Sequence, residues 1–348
     1  MNLMTVTPPI DPRFARIIDA NLDRTREGLR VIEDWCRFGL NRKDLVVTIK
    51  DWRHILAKHH GNTYKQARDV SSDKGALINH PEQENRNSPN CVIKANCSRA
   101  QEALRVLEEF SRKIDPELAQ NAAIIRYGLY ELEKTLLEIG NKKNRADKLK
   151  SCNICLITSP QNQLTKTVLN AINAGVKIIQ YRSKEGTDQE KYIQAKDLAL
   201  ICKSNDVLFI INDRIDLAIA VEADGVHLGQ QDFPTKVART ILGSEKLIGR
   251  STHCLKDIKK AEEEGCDYIG IGPVYETKTK PDKSPIPFND FLEITKKSSL
   301  PYFAIGGINN SNLCEISTLG INRIAVSSAI MNSRDPSLAT RELIKQLL

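Results

Sequence analysis

Short polar clusters in the C-terminal part of the 348-residue chain combine residue types that handle anions. Arg182, Lys184 and Lys280 offer cationic donors, Ser251 a hydroxyl and Asn212 an amide, while Asp213 and Asp232 offer hard carboxylate oxygens. Several cations beside two carboxylates suit Mg²⁺ clamping a pyrophosphate, because Mg²⁺ binds through one or two carboxylates plus phosphate oxygens. A second group has a different chemistry. Gly306-Gly307 and Ser327-Ser328 can bring backbone N–H groups against oxygen, which is how a monophosphate is held. No Cys/His or Ser/His/Asp set stands out as a nucleophilic centre, so catalysis by positioning and electrostatics is expected. His227 and His253 read as packing or loop-orienting residues. The ordinary readings stand beside these: Asp213 as the cap of a following helix, Asp232 likewise before Pro234, and Arg182 and Lys184 as a solvated rim.

The clusters fall at the ends of short β-rich runs that must position them. Strands are expected at Ile154–Thr158, Ile178–Arg182, Leu208–Asn212, Gly225–Leu228, Leu247–Ser251, Tyr268–Gly272, Tyr302–Ile305 and Arg323–Val326. Helical sequence follows each run, for example Asp188 to Lys203 and Leu255 to Gly265, so residues 151–348 read as a closed parallel (β/α)8 barrel. Ligands of such barrels sit at the C-terminal ends of the strands, which is where the polar clusters lie.

The N-terminal half is all-α, with an internal repeat. The stretch from Ala20 to Glu33 returns 75 residues later as Ala95 to Glu108, keeping Asn, Arg, Glu, Leu, Arg, Val and Glu in register. Asn21 and Asn96 are read as helix N-caps, and a second helical stretch follows each copy, Asp44 to His60 and Pro116 to Glu138. Residues 1–139 therefore form a helical domain of two hairpins, residues 140–150 a polar interdomain linker, and residues 151–348 the barrel. The charges Arg24, Glu27, Arg30, Glu33 and Arg37, echoed by Arg99, Glu102, Arg105, Glu108 and Arg112, read as exposed helix ion pairs of small value. A sharper reading makes them a paired anion site or the contact of a homo-oligomer.

The chain is 41% apolar and 27% charged, a composition of globular proteins, and its length implies more than one core. No apolar run is long enough to span a bilayer, and the first residues carry charges and prolines where a signal peptide needs an apolar stretch. Nine cysteines without framework spacing fit reduced thiols and a cytoplasmic location, and Cys152 and Cys155 fit buried packing better than a metal or redox pair. The net charge is +7, and residues 1–150 hold 27 Lys and Arg against 21 Asp and Glu. Acids interleave this mild excess, so neither nucleic acid nor membrane is an expected partner.

In order along the chain, Gln180-Tyr-Arg-Ser-Lys184, Ile211-Asn-Asp213, Gly225-Val-His-Leu-Gly-Gln-Gln-Asp232, Ser251-Thr-His, Gly270-Ile-Gly-Pro-Val-Tyr-Glu-Thr-Lys-Thr-Lys280 and Ala304-Ile-Gly-Gly307 resemble the motifs of the thiamine-phosphate synthase family. The likeness spans the barrel half and little of the helical half. It implies a transferase that alkylates a thiazole phosphate with the pyrophosphate ester of 4-amino-5-hydroxymethyl-2-methylpyrimidine, giving thiamine phosphate and pyrophosphate. By the same likeness Asp213 and Asp232 bind Mg²⁺, Arg182, Lys184, Asn212, Ser251 and Lys280 hold the pyrophosphate, and Gln180 faces the pyrimidine. Thr277, Thr279, Gly307, Val326 and Ser327 would bind the thiazole phosphate. The loop from Pro273 to Pro287 is a candidate lid. Two other readings are a thiazole tautomerase of the same fold, against which the pyrophosphate side speaks, and a non-catalytic sensor of thiamine-pathway ligands.

Overall fold

The computed structural model describes residues 10–69, 86–277 and 284–348. They form two compact units, Met1–Gly140 and Asn141–Leu348.

In the first unit the helices are α1 (Pro12–Asp34), α2 (Lys43–His59), α3 (Asn62–Lys65), α4 (Pro89–Ser111) and the part of α5 (Pro116–Lys150) up to Gly140, with a π-helical turn at Trp35–Gly39 after α1. The two repeat copies are α1 and α4, and they bury Leu22, Leu29 and Ile32 together with Cys97, Leu104 and Leu107 in one core. Each copy starts earlier than Asn21 or Asn96. Asp11 caps α1 by accepting from the Arg13 amide and Ser88 caps α4 by accepting from the Cys91 amide, each followed at once by proline. Proline suits the first helical position, where no N–H is needed. Asn21 and Asn96 lie inside their helices and donate from Nδ2 to the carbonyls of Ile17 and Val92 one turn back, at 2.8 and 2.9 Å.

The charged row also departs from the exposed pattern. Arg24, Glu27 and Arg30 face solvent, but Glu33 is fully buried and receives Arg53 of α2 at 2.5 Å. Its repeat partner Glu108 receives Arg126 of α5 at 2.8 Å. In each copy the glutamate thus ties the repeat helix to the helix that follows.

The second unit is the barrel. Its strands β1 (Ile154–Ile157), β2 (Ile178–Tyr181), β3 (Leu208–Asn212), β4 (Gly225–Leu228), β5 (Leu247–Thr252), β6 (Tyr268–Ile271), β7 (Tyr302–Ile305) and β8 (Ile324–Val326) close in sequence order, all parallel. Around them run α6 (Leu164–Asn173), α7 (Asp188–Ser204), α8 (Ile215–Ala220), α9 (Thr235–Leu242), α10 (Leu255–Glu263), α11 (Phe288–Lys297), α12 (Leu313–Ser317), α13 (Ser328–Met331) and α14 (Pro336–Leu347). Local chemistry sets the helix starts: Thr187 and Glu190 form a reciprocal capping box on α7. The polar run expected to be a linker is helical instead, as the end of α5. Between Asn141 and Lys150 nothing breaks a helix, and Arg145 pairs with Asp224 at 2.8 Å.

One apolar cluster lies between the strands and the outer helices. Another fills the barrel interior with Cys155, Ile178, Leu208, Leu247, Tyr268 and Phe303, and Leu149 and Cys152 join it. Cys152 and Cys155 are buried free thiols. Burial raises Cys152 to about 11 and Cys155 higher still, which fits packing rather than reactivity.

Candidate functional site

Strand alternation decides which side chains enter the barrel. Ile178 and Gln180 share the inner face of β2; Leu208, Ile210 and Asn212 that of β3; Leu247 and Ser251 that of β5. The apolar members fill the lower barrel, and the polar residue at the end of each strand faces the C-terminal mouth. There they line a cavity of about 840 Å³, its open mouth included, bounded on one side by Gln180, Arg182, Asn212, His227 and Ser251. The Gln180 amide donates to Asn212 Oδ1 at 2.8 Å, and the Arg182 amide donates to Thr158 Oγ1 at 2.9 Å, fixing the backbone where β2 ends.

The opposite side is built by the loops after β6, β7 and β8 and includes Thr277, Gly307, Val326 and Ser327, with Ile157, Ile305 and Ile308 as apolar wall. The loop after β6 is laced to the one after β7: the Val274 amide donates to Ile305 O at 2.9 Å and the Tyr275 amide to Gly306 O at 3.0 Å. Gly306 and Gly307 both have positive φ, 104° and 67°. A Cβ at Gly306 would stand 2.4 Å from Pro273 Cβ, and one at Gly307 2.4 Å from the Glu276 carbonyl oxygen, so both positions require glycine.

Asp213 and Asp232 do not line this cavity; they follow the adjacent strands β3 and β4, whose ends pair Asn212 with His227. Asp213 is exposed, with φ 64°, a left-handed conformation that Asp tolerates better than most residues, and its amide donates to His227 O at 2.9 Å. Asp232 accepts the Gly229 amide on Oδ2 at 2.6 Å, which turns its carboxylate back toward the end of β4. Neither aspartate acts as the N-cap of the helix after it: α8 follows Arg214 and α9 follows Pro234. Lys184 is exposed and outside the lining. Thr279 and Lys280, with the middle of the expected lid, lie outside the described residues.

Among the described residues one three-member group with metal-ligand chemistry lies in the helical unit: Asp19, Asp23 and His60. Arg68 already bridges the two carboxylates, reaching Asp19 Oδ2 at 2.7 Å and also Asp23, and His60 Nε2 lies 2.7 Å from Asp19 Oδ1. Burial alone would raise the Asp19 carboxyl, but its hydrogen bonds to Arg68 and His60 outweigh that and hold it below the ordinary carboxylate value. The group is a closed ion network with its cation supplied by the chain.

A family profile described as Thiamine monophosphate synthase matches residues 154–330. The chain is 55% identical to a thiamine-phosphate synthase of Prochlorococcus marinus (strain MIT 9303) over the full length of both. The chain belongs to the thiamine monophosphate synthase family. A thiamine-phosphate synthase of Synechococcus sp. (strain CC9605) is 52% identical, covering 100% of this chain and 99% of its own. A solved thiamine phosphate pyrophosphorylase from Pyrococcus furiosus superposes with TM-score 0.53 at 36% identity, covering 58% of this chain and 97% of that one. A second profile, described as ThiD2 family, matches residues 16–135. The helical unit is thus a recognised module that the full-length synthase relatives also carry.

Within this family fold, the site residues expected from sequence separate into two sets. Gln180, Arg182, Asn212, Ser251, Thr277, Gly307, Val326 and Ser327 converge on one cavity. His227 and His253 line it too, although they read as packing or orienting residues. The orienting part is visible for His253, whose Nδ1–H donates to Gly272 O at 2.5 Å and whose amide donates to Asp257. Pro273, the first residue of the expected lid, lines it as well, and so does Ile308, which nothing in its residue type marks apart from an ordinary wall residue.

Proposed function

We propose that the barrel face makes thiamine phosphate by dissociative displacement, in which pyrophosphate leaves the pyrimidine before the thiazole nitrogen bonds to the exposed methylene. The observation that carries this reading is one cavity with two unlike polar ends: Arg182, Asn212 and Ser251 on one side, and Gly306, Gly307 and Ser327 on the other. Two anion-binding ends on one chamber suit two phosphorylated substrates brought together, as a bond-forming transfer requires. The 4-amino group of the pyrimidine donates electrons into the developing methylene cation, so no protein nucleophile is needed. The work left to the chain is to bind the diphosphate, hold the two rings in line and exclude water.

In this reading Arg182 and Ser251 take the diphosphate, with Lys184 and Lys280 completing the cationic rim, and Gln180, pinned by Asn212, faces the pyrimidine. Thr277, Thr279, Gly307, Val326 and Ser327 take the thiazole phosphate. Asp213 and Asp232 fit a hard cation: both offer carboxylate oxygen, they stand on neighbouring strand ends, and no thiolate belongs to the set. Mg²⁺ bound there would offset negative charge on the leaving diphosphate. Nine free cysteines support a reducing, cytoplasmic setting.

The test is product formation with both substrates while Mg²⁺ is titrated. Asp213→Asn and Asp232→Asn should each cut turnover by about 10²-fold or more and raise the Mg²⁺ requirement, the scale at which electrostatic stabilisers act. EDTA should abolish turnover and Mg²⁺ restore it. Wild-type turnover in the doubly substituted protein would refute the metal assignment.

A further inference from the structure

Behind Ser251 the barrel interior holds two hydrogen-bonded residues, Tyr268 and His227, that no step of the reaction above uses. Tyr268 of β6 is fully buried, and its hydroxyl lies 3.3 Å from Nδ1 of His227 on β4. Nε2 of the same imidazole lies 3.0 Å from Ser251 Oγ on β5, at the cavity wall. The arrangement is built in rather than incidental. Gly249, one inward position below Ser251, has no side chain because a Cβ there would sit 2.2 Å from the Tyr268 ring. The Gln230 side chain donates from Nε2 to the Ser251 carbonyl at 2.6 Å and holds that residue's backbone in place.

The direction of the bonds follows from the phenol. A buried hydroxyl must place its proton on an acceptor, and His227 Nδ1 is within reach. Burial pushes the Tyr268 pKa far up, so the phenol keeps that proton. With Nδ1 accepting, the proton of the neutral imidazole sits on Nε2 and is donated to Ser251 Oγ. The serine hydroxyl is then an acceptor toward the imidazole, and its own hydrogen is turned to the cavity.

We propose that Tyr268 and His227 are positioning residues that set the Ser251 hydroxyl as a hydrogen-bond donor toward the departing diphosphate. The proposal rests on the reading of Ser251 as a diphosphate contact, and the experiment separates the two. It is a double-mutant cycle on the full-length protein, measuring kcat and KM for each substrate. Ser251→Ala should lower kcat by about 10²-fold, the effect of removing one donor to developing negative charge. His227→Asn keeps a group on the Tyr268 side and loses the one facing Ser251, and should lower kcat by about tenfold; His227→Gln, which restores a donor at the Nε2 position, should recover most of that loss.

The deciding result is the double variant. His227→Asn with Ser251→Ala should be no slower than Ser251→Ala alone, because His227 acts through the serine. In both backgrounds the KM for the thiazole phosphate should stay unchanged, a selectivity that general loosening of the barrel would not produce. Full activity in Ser251→Ala would remove the diphosphate contact itself. An impaired Ser251→Ala on which the histidine loss simply multiplies would leave that contact standing and overturn the relay.

Discussion

Gly307 shows how much of the candidate site depends on a single backbone conformation. It combines a φ of 67° with a carbonyl oxygen 2.4 Å from where a Cβ would stand. Gly307→Ala should therefore displace the loop after β7 and raise the KM for the thiazole phosphate at least about tenfold, with a smaller effect on the pyrimidine substrate. Steady-state kinetics with each substrate varied in turn check this, and equal rises in both KM values would count against a phosphate site at this loop. The same residue was readable beforehand, because glycine pairs after an apolar run have few other uses. Gln180, Arg182, Asn212 and Ser251 are readable for a related reason: they hold the inward positions of the strand alternation, where a polar side chain at the strand's end faces the mouth, whereas Asp213, one residue past β3 on the other parity, stays outside the cavity. Lys184 lies past the end of β2, where alternation no longer fixes direction, and it turns to solvent. The role of Tyr268 was not readable, since nothing in an apolar run tells a phenol from a plain ring until its neighbours are known.

Secondary structure divides in the same way. All eight strands stand where β-rich runs predict them, to within a residue or two at each end, since a buried parallel strand is a run of apolar residues bounded by polar ones. The helical unit is less legible in sequence. Its amphipathic stripe identified α1 and α4, but the true caps, Asp11 and Ser88, stand before prolines ahead of the repeated motif. Glu33 is invisible to charge patterning because pairing one turn away on the same helix and pairing with another helix look alike in sequence. Its burial makes a quantitative expectation: Arg53→Ala removes the close partner and leaves the buried carboxylate only Arg30, 3.8 Å away on its other oxygen, so it should destabilise the helical unit by up to about 3–5 kcal/mol. Arg105→Ala removes a half-exposed arginine and should cost no more than about 1 kcal/mol. Tryptophan fluorescence during urea unfolding reports this unit alone, because the two tryptophans of the chain are Trp35 and Trp52. Similar midpoints for both variants would contradict the buried-pair account.

For the molecule as a whole, the division at Gly140 falls inside a helix rather than in a linker. The last residues of α5 belong to the barrel: Leu149 is 1% exposed within the interior cluster, and Arg323 donates to the carbonyls of Cys152, at 2.9 Å, and of Leu149. A fragment beginning at Asn141 should therefore be soluble and keep synthase turnover, whereas one beginning at Ser151 should lose about 2–5 kcal/mol, as for deletion of a buried leucine, and melt lower. Thermal melts of the two fragments check it, and equal melting temperatures would show that the α5 end is dispensable. This end of the barrel has a consequence for traffic. Leu149, Tyr268 and Phe303 pack across the lower bore, so among the described residues the reaction chamber is closed at its base. With the base sealed, ligands are expected to come and go by way of the mouth, so the one seated deeper should enter ahead of its neighbour and leave after it.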